Sequence, residues 1–94
     1  MIKEDGTLVV FLEGQLDTST APQLEEELKN SLEGVTSLTF DMKKLAYISS
    51  AGLRVLLYAQ KTMNGRGEMK VANVNEMIAE IFEITGFSEI LTIE

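Results

Sequence analysis

The sequence predicts an α/β fold: one small domain over residues 1–94, with a mixed, mostly parallel sheet and helices packed against it. Short aliphatic runs alternate with segments of helical periodicity, in an order that begins with strands and then repeats helix and strand. Glycines separate most of these segments, as expected for turns between elements. With 94 residues, of which 45% are hydrophobic, the chain can build one core but not two.

Two strands and a helix are predicted in the first third of the chain. Thr7–Leu12 is an apolar run between glycines, and a shorter strand beginning at Ile2 is close enough to pair with it in the antiparallel sense. The next helix is expected to begin at Thr20, because Thr20 and Gln23 form a capping-box pattern. Its apolar face is a stripe at helical spacing: Ala21, Leu24, Leu28 and Leu32.

The middle of the chain is predicted to contain two short strands and a second helix. Ser37–Asp41 has the composition of a strand, and Ala46–Ile48 is predicted as a separate short strand. Lys43 and Lys44 form a polar break between them. The helix is predicted to run from Ser50 to Met63 and to stop at a glycine-containing turn.

The last third is predicted to contain a strand, a helix and a short tail. Glu68–Ala72 alternates as a strand does, and Asn73 with Glu76 is a cap-like pair before the third helix. Ile90–Ile93 is predicted to be either a last strand or a loose tail. The side chains of the third helix that are expected to face inward are Met77, Ile78, Ile81 and Phe82.

The charge balance limits the kind of partner that this chain can bind. It has eight Lys and Arg against fifteen Asp and Glu, which gives a formal net charge of −7. Direct binding to nucleic acid is not expected, because basic side chains supply most of the affinity for the phosphate backbone. A partner with a basic surface would complement this acidic chain.

Two absent residue types exclude several kinds of chemistry. Without Cys the chain has no disulfides or thiolate ligands, and without His it has no His-based triad. The side chains of Glu25–Glu27 point in different directions around a helix, so we expect no metal site. Because no histidine is present to activate a nucleophile, we also expect no catalytic residue. No apolar run approaches the ~20 residues of a membrane span. The N-terminus has no signal-peptide core, so a cytoplasmic location is expected.

Ser49 and Ser50 are the main candidates for function, because they lie where a buried strand is followed by a helix. A helix start exposes unpaired N–H groups and the positive end of the peptide dipole, which favour a phosphate. A serine here can be a helix cap, a nucleophile or a phosphorylation site. The nucleophile interpretation lacks support: Ile48 stands where the G-x-S-x-G pattern has its first glycine, and no histidine is present to activate a hydroxyl.

A polar loop of Asp17, Thr18 and Ser19 follows the first long strand, and loops at strand ends often carry function. The loop and the serine segment belong to a series of stretches that covers nearly the whole chain. These are Gly14–Asp17, Leu38–Met42, Tyr47–Leu53, Gly67–Val71, Asn73–Glu76 and Ile81–Gly86. In this order and separation they resemble the STAS-domain family, and within it the stand-alone bacterial anti-sigma factor antagonists.

The resemblance implies which residues act. In this family the serine two residues before the glycine is phosphorylated by an anti-sigma factor kinase, and that serine is Ser50 here. The family often has an aspartate where this chain has Ser49, so Ser49 is the alternate phosphorylation site. Asp17 matches the family's acidic residue near the phosphorylation site. The residues expected to contact the partner are Asp17, Thr18, Ser19, Ser49, Ser50, Gly52 and Arg54.

The resemblance also implies a regulatory cycle. The unphosphorylated protein would bind an anti-sigma factor serine kinase and so release the sigma factor. The kinase would use ATP to phosphorylate the serine and end binding, and a serine phosphatase would reverse this step. This chain would itself need no cofactor. The alternative is a constitutive interaction subunit of a transporter or a stress-sensing assembly, because STAS-like domains also occur in such settings.

Overall fold

The computed structural model describes all of residues 1–94 and confirms the predicted α/β class. None of its helices is long and apolar enough to cross a membrane. The elements follow one another in the order β1 (Ile2–Glu4), β2 (Thr7–Leu16), α1 (Ala21–Ser31), β3 (Ser37–Ile48), α2 (Ser50–Met63), β4 (Glu68–Ala72), α3 (Glu76–Thr85) and α4 (Phe87–Ile90).

The strands form one four-stranded sheet in the order β1-β2-β3-β4. β1 and β2 are antiparallel and are joined by a two-residue turn, in which Asp5 and Gly6 have φ angles of 49° and 83°. Positive φ at both positions matches the right-handed twist of a hairpin. β2, β3 and β4 are parallel neighbours, each joined to the next through a helix. The mixed, mostly parallel sheet is therefore confirmed.

One face of the sheet carries the hydrophobic core, and the other face is open. Leu8 and Val10 of β2 are buried on the core face, whereas Phe11 points to the open face and is 53% exposed. Leu38 and Phe40 continue the buried face in β3. The helices complete a single cluster with side chains that include Leu28 from α1, Leu56 from α2 and Phe82 from α3.

β3 is longer than the sequence predicted. The two strands expected at Ser37–Asp41 and Ala46–Ile48 are one continuous strand, so the predicted break at Lys43 and Lys44 is wrong. The pairing of β3 with β2 contains two register shifts, at each of which a β-bulge accommodates one extra residue of β3. Both lysines are exposed to solvent. β2 is also longer than predicted and ends at Leu16.

Two helix starts differ from the predicted capping patterns. Thr20 precedes α1, but its side chain makes no capping bond and donates instead to the Gln15 carbonyl at 2.9 Å. α3 is capped by Asn75 and not by Asn73, because the Asn75 side chain accepts the N–H of Ile78 at 2.9 Å. The local sequence signals were present, but the tertiary contacts selected other partners.

The C-terminal part also differs from the prediction. Of the side chains expected to face inward in α3, Ile78 and Phe82 are fully buried, whereas Met77 is 56% exposed because the helix packs through a narrower stripe. Of the segment Ile90–Ile93, which was expected to be a strand or a loose tail, Ile90 ends a short helix, α4, and Ile93 makes a single parallel bridge with Val71.

Asp41 links β3 to the turn that follows β4. Its carboxylate accepts the Lys43 N–H at 3.0 Å and the Asn73 side-chain amide at 3.1 Å. The bond from Lys43 and then the bond from Asn73 lower the pKa of the Asp41 carboxyl below its ordinary value of 3.8, against an opposing effect of burial. Asn73 has a φ of 59°, so the Asp41 carboxylate supports a turn in a conformation that few residues adopt.

Asp41 should make the stability of the fold depend on pH in the acid range. Because the pKa of Asp41 is lower in the folded than in the unfolded chain, the ionised carboxylate stabilises the fold above the unfolded value, and this contribution is lost as the pH falls through the folded value. Urea unfolding should show Asp41→Asn to be less stable than wild type near about pH 6, with the difference shrinking below about pH 3. Asp5→Asn, at an exposed aspartate in the hairpin turn, is the control. A difference between Asp41→Asn and wild type that does not change with pH would contradict the assignment.

Candidate functional site

The candidate site is built where the first turn of α2 meets the ends of β2 and β3. β3 ends at Ile48, Ser49 is the N-cap residue, and Ser50 is the first residue of the helix. The N–H of Ser49 donates to the carbonyl of Leu16, the last residue of β2, at 2.9 Å. This bond joins the serine segment to the strand end from which the polar loop leaves.

Gly52 allows this close approach of helix and sheet. A Cβ atom at position 52 would lie 2.7 Å from Cγ1 of Ile48, 2.8 Å from Cγ of Leu16 and 2.9 Å from the Leu16 carbonyl oxygen. All three distances are shorter than ordinary van der Waals contacts. Glycine therefore allows the first turn of α2 to lie directly on the ends of both strands.

The two candidate serines have opposite environments. Ser50 is exposed at the start of α2. The Ser49 hydroxyl oxygen is buried and has no hydrogen-bond partner, although the backbone of Ser49, with φ −98° and ψ 178°, has the extended conformation of an N-cap. Ser49 lies at the N-cap position but its side chain makes no capping bond, and Ser50 is already the first residue of the helix. Neither serine therefore fits the plain helix-cap interpretation.

The Asp17 loop is closed by its own hydrogen bonds. Asp17 Oδ1 accepts the N–H groups of Ser19 at 2.9 Å and Thr20 at 3.2 Å, and the Asp17 carbonyl accepts the N–H of Ala21 at 2.8 Å. The N–H of Asp17 in turn donates to the Thr20 hydroxyl at 2.9 Å. Asp17 therefore positions the loop and the start of α1. Thr18 and Ser19 are left exposed on the outside of the loop.

A shallow groove of about 200 Å³ lies between the starts of α1 and α2. Thr18 on one side and Arg54 on the other side belong to its lining. Arg54 is exposed and makes no ion pair. On the opposite wall, the Glu25 carboxylate forms an ion pair with Lys29, with 3.9 Å between Oε2 and Nζ. The remaining lining residues are Ala21, Pro22, Ala51 and Val55. The groove is thus partly apolar and has a free guanidinium at its edge.

The structure brings most of the predicted site residues to one end of the molecule. Thr18 and Arg54 share the groove, and Ser49 is bonded to the strand end next to Asp17. Gly52 is buried and acts through packing, so it offers no surface to a partner. The sequence analysis missed Leu16, whose carbonyl accepts the Ser49 N–H and whose side chain packs against Gly52. The available signal was its position as the last apolar residue before the polar loop.

Other candidate chemistry lies elsewhere. Lys43 and Lys44 line a separate depression together with Phe11 and Asp41, and not the groove between α1 and α2. No group of three or more Asp or Glu side chains is arranged to hold a metal ion.

Comparison with known proteins shows the family to which the chain belongs. The family model of the STAS domain matches residues 1–94. The chain belongs to the STAS domain family. BtrV of Bordetella bronchiseptica, a candidate anti-sigma factor antagonist, is 39% identical over 99% of this chain and 82% of its own length. The anti-sigma-B factor antagonist of Listeria monocytogenes is 34% identical over 99% of this chain and 85% of its own length.

The solved structures of SpoIIAA have the same fold. The unphosphorylated form of this anti-sigma factor antagonist is similar with a TM-score of 0.80 and 18% identity, over 100% of this chain and 84% of the SpoIIAA chain. The phosphorylated form, from Bacillus, gives a TM-score of 0.78 and 18% identity over 100% and 87% of the two chains. The STAS antagonists are binding modules rather than enzymes, and this STAS domain is a binding module of the same type.

Gly52→Ala tests whether the contact between helix and sheet positions the site. Alanine raises helix propensity, yet we expect a net loss of about 1–3 kcal/mol in the free energy of unfolding, because the added methyl group overpacks the contact with Leu16 and Ile48. Urea unfolding measures the loss, and amide chemical shifts should change at Asp17 and Thr20. Ser50→Ala, two residues earlier at an exposed position, is the control, with an expected change within about 0.5 kcal/mol. Shift changes confined to α2 would show that the strand end does not depend on this contact.

Proposed function

We propose that this STAS domain is an anti-sigma factor antagonist that is controlled by phosphorylation of Ser50. In its unphosphorylated form it binds an anti-sigma factor that is also a serine kinase, and the sigma factor is released. The names of its relatives support the class of partner, since BtrV and the Listeria protein are both described as antagonists of anti-sigma factors. The phosphorylated form of SpoIIAA supports the kind of control, because that protein has the same fold.

The observation that carries the proposal is the contrast between the two serines. The Ser50 side chain is exposed at the first position of α2, where a kinase can reach it. The Ser49 hydroxyl oxygen is buried and would have to leave the protein interior before it could accept a phosphoryl group. Ser50 is therefore the proposed site, and the alternate assignment to Ser49 requires local opening of the helix start.

Phosphorylation of Ser50 should leave the fold intact. The γ-phosphoryl group of ATP is transferred to the Ser50 oxygen, the hydroxyl proton is released, and ADP leaves with the kinase. The product carries roughly −1.5 to −2 charges at pH 7. It lies at the positive end of the α2 dipole, which favours it by about 0.3–1 kcal/mol. Arg54, one helical turn further on, is free to approach the phosphate.

The same charge should strongly oppose binding. A partner that covers the Ser50 surface and the groove beside it would have to remove water from the phosphate, and any partner carboxylate nearby would repel it. A cost of about 4 kcal/mol corresponds to a roughly thousandfold loss of affinity. The phosphate therefore changes the free energy of binding more than it changes the free energy of unfolding. A serine phosphatase removes the phosphate and restores binding, and this chain itself needs no cofactor in the cycle.

The site assignment can be tested with two matched substitutions. Incubation with the cognate anti-sigma factor kinase and ATP, followed by mass spectrometry, should place one phosphate on Ser50 in the wild-type chain. Ser50→Ala should abolish phosphorylation and Ser49→Ala should retain it, because only the Ser50 hydroxyl is exposed. Loss of phosphorylation in both variants, or a phosphate on Ser49, would overturn the assignment.

The effect on binding can be tested with the phosphorylated chain and a charge variant. Calorimetry should show that phosphorylation weakens binding to the kinase by roughly a thousandfold, and that Ser50→Asp weakens it less, since it carries one charge. Ser88→Asp, at an exposed serine in α4, is the control for charge alone and should bind as wild type does. If the phosphorylated chain binds as tightly as the unphosphorylated chain, the mechanism is wrong. A constitutive role in a transporter or stress-sensing assembly would then be favoured.

A further inference from the structure

α3 exposes an apolar stripe that no other part of the chain covers. The helix packs on the core through Ile78 and Phe82, which are fully buried. Met77 and Ile84, by contrast, are 56% and 77% exposed, and Ile84 is more exposed than any other large apolar side chain of the molecule. Ile81, half-buried against the core, stands between them. Residues at positions i, i+4 and i+7 lie on one face of a helix, so these last three side chains form a continuous stripe.

Three carboxylates run beside the apolar stripe. Glu76, Glu80 and Glu83 repeat the same spacing, each one residue before a member of the apolar stripe, and all three are exposed. None of them forms an ion pair, since the three ion pairs of the molecule are made by glutamates of α1, β4 and the C-terminus. Like charges three or four residues apart destabilise a helix slightly, so the stability of α3 does not account for this acidic stripe.

No basic side chain of the chain is paired with the acidic stripe. Residues 71–94 contain five glutamates and no Asp, Lys or Arg. Lys70, just before this segment, is held in two ion pairs of 4.0 and 3.5 Å. Lys44 is next to the residue of β3 whose carbonyl accepts the Asn75 amide, but it lies on the open face of the sheet, opposite Glu13. α3 packs on the core face instead, so its carboxylates are available to a partner.

We propose that the α3 face binds an amphipathic, basic helix of a partner protein. The α3 face consists of the apolar stripe and the acidic stripe: Glu76, Met77, Glu80, Ile81, Glu83 and Ile84. The partner helix places its own apolar side chains on the apolar stripe, and its lysine or arginine side chains reach the carboxylates beside it. This charge complementarity selects a basic helix over an acidic one.

A helix fits this face better than an extended segment. The backbone N–H and C=O groups in the middle of α3 are bonded within the helix, so a partner can be held only through side chains. A second helix presents side chains at the same spacing as the stripe, and the two rows can interdigitate. The ten residues of α3 make a contact about 15 Å long, which corresponds to about three turns of the partner helix.

A second copy of this chain is a poorer occupant. Antiparallel packing of two α3 faces about a twofold axis would place the two acidic stripes side by side, and juxtaposed like charges are unfavourable. Each copy also has a net charge of −7. The α3 face shares no residue with the groove between α1 and α2, so its occupation does not depend on phosphorylation of Ser50.

The probe is an acetylated and amidated helical peptide of alanine, leucine and lysine, about 18 residues long so that it is helical on its own. Its leucines recur at the spacing of the apolar stripe, and its lysines lie beside them. Titration into the isotope-labelled protein should shift the amide resonances of residues 76–85 in a saturable manner, and the affinity should fall as the salt concentration rises. Two control peptides should bind at least about tenfold more weakly: one has the same composition with the leucines spread around the helix, and the other has glutamate in place of lysine.

Substitutions in the apolar stripe test the hydrophobic contribution. Met77→Ser with Ile84→Ser should weaken binding of the leucine-lysine peptide by about tenfold, because both side chains lose apolar area that the peptide would bury. The control is Ile2→Ser with Phe11→Ser, two apolar side chains on the sheet that are 55% and 53% exposed, and it should leave the affinity unchanged.

Substitutions in the acidic stripe test the charge contribution without disturbing the core. Glu80→Gln with Glu83→Gln should weaken binding by about fivefold and reduce its salt dependence, because two attractive pairs are lost at exposed positions. Glu26→Gln with Glu27→Gln removes the same charge from the exposed side of α1 and should leave the affinity unchanged.

Several outcomes would overturn the proposal. These are equal binding of either control peptide, shifts on α1 or at the Lys43 depression instead of α3, and equal weakening by the control substitutions. A concentration-dependent dimer that shifts the same resonances without peptide would overturn it as well, and would assign the α3 face to a second copy. Ser50→Ala should bind the peptide as wild type does, so a negative result here leaves the phosphorylation proposal standing.

Discussion

The contact between the first turn of α2 and the ends of β2 and β3 is the constraint on which the site depends. It needs a residue without a Cβ at position 52, since Leu16 and Ile48 occupy the space that a methyl group would fill. The Ser49 N–H, bonded to the Leu16 carbonyl, fixes the helix start against the same strand end. The exposed serine and the Asp17 loop therefore share one rigid support, although they are far apart in the sequence.

This contact also explains why two adjacent serines have different roles. Ser49 is the N-cap residue, at the point where the chain turns from β3 into α2, and its side chain points inward. Ser50 is one position further on, and the helical turn directs its side chain outward. A shift of one residue in the junction would exchange the two environments. The buried contact at Gly52 opposes such a shift, because it fixes the phase of the helix relative to the sheet.

The α3 face shows how the same small fold can present two separate surfaces. The end of the molecule at Ser50 is built from helix starts, a polar loop and the guanidinium of Arg54. The α3 face is built from an apolar stripe and three carboxylates. The first surface suits control by a phosphate, because charge added there meets a helix dipole.

The sequence by itself determined the α/β class, the apolar face of α1 and the location of the serines at a strand-to-helix junction, because these follow from local periodicity and from the chemistry of turns. Only the tertiary structure decided that the Ser49 hydroxyl is buried and that of Ser50 exposed. It also decided that the Asp17 carboxylate closes its own loop and that β3 continues through Lys43. These features depend on contacts with strands that lie elsewhere in the sequence, and a local pattern contains no information about which neighbour a backbone group or hydroxyl will meet.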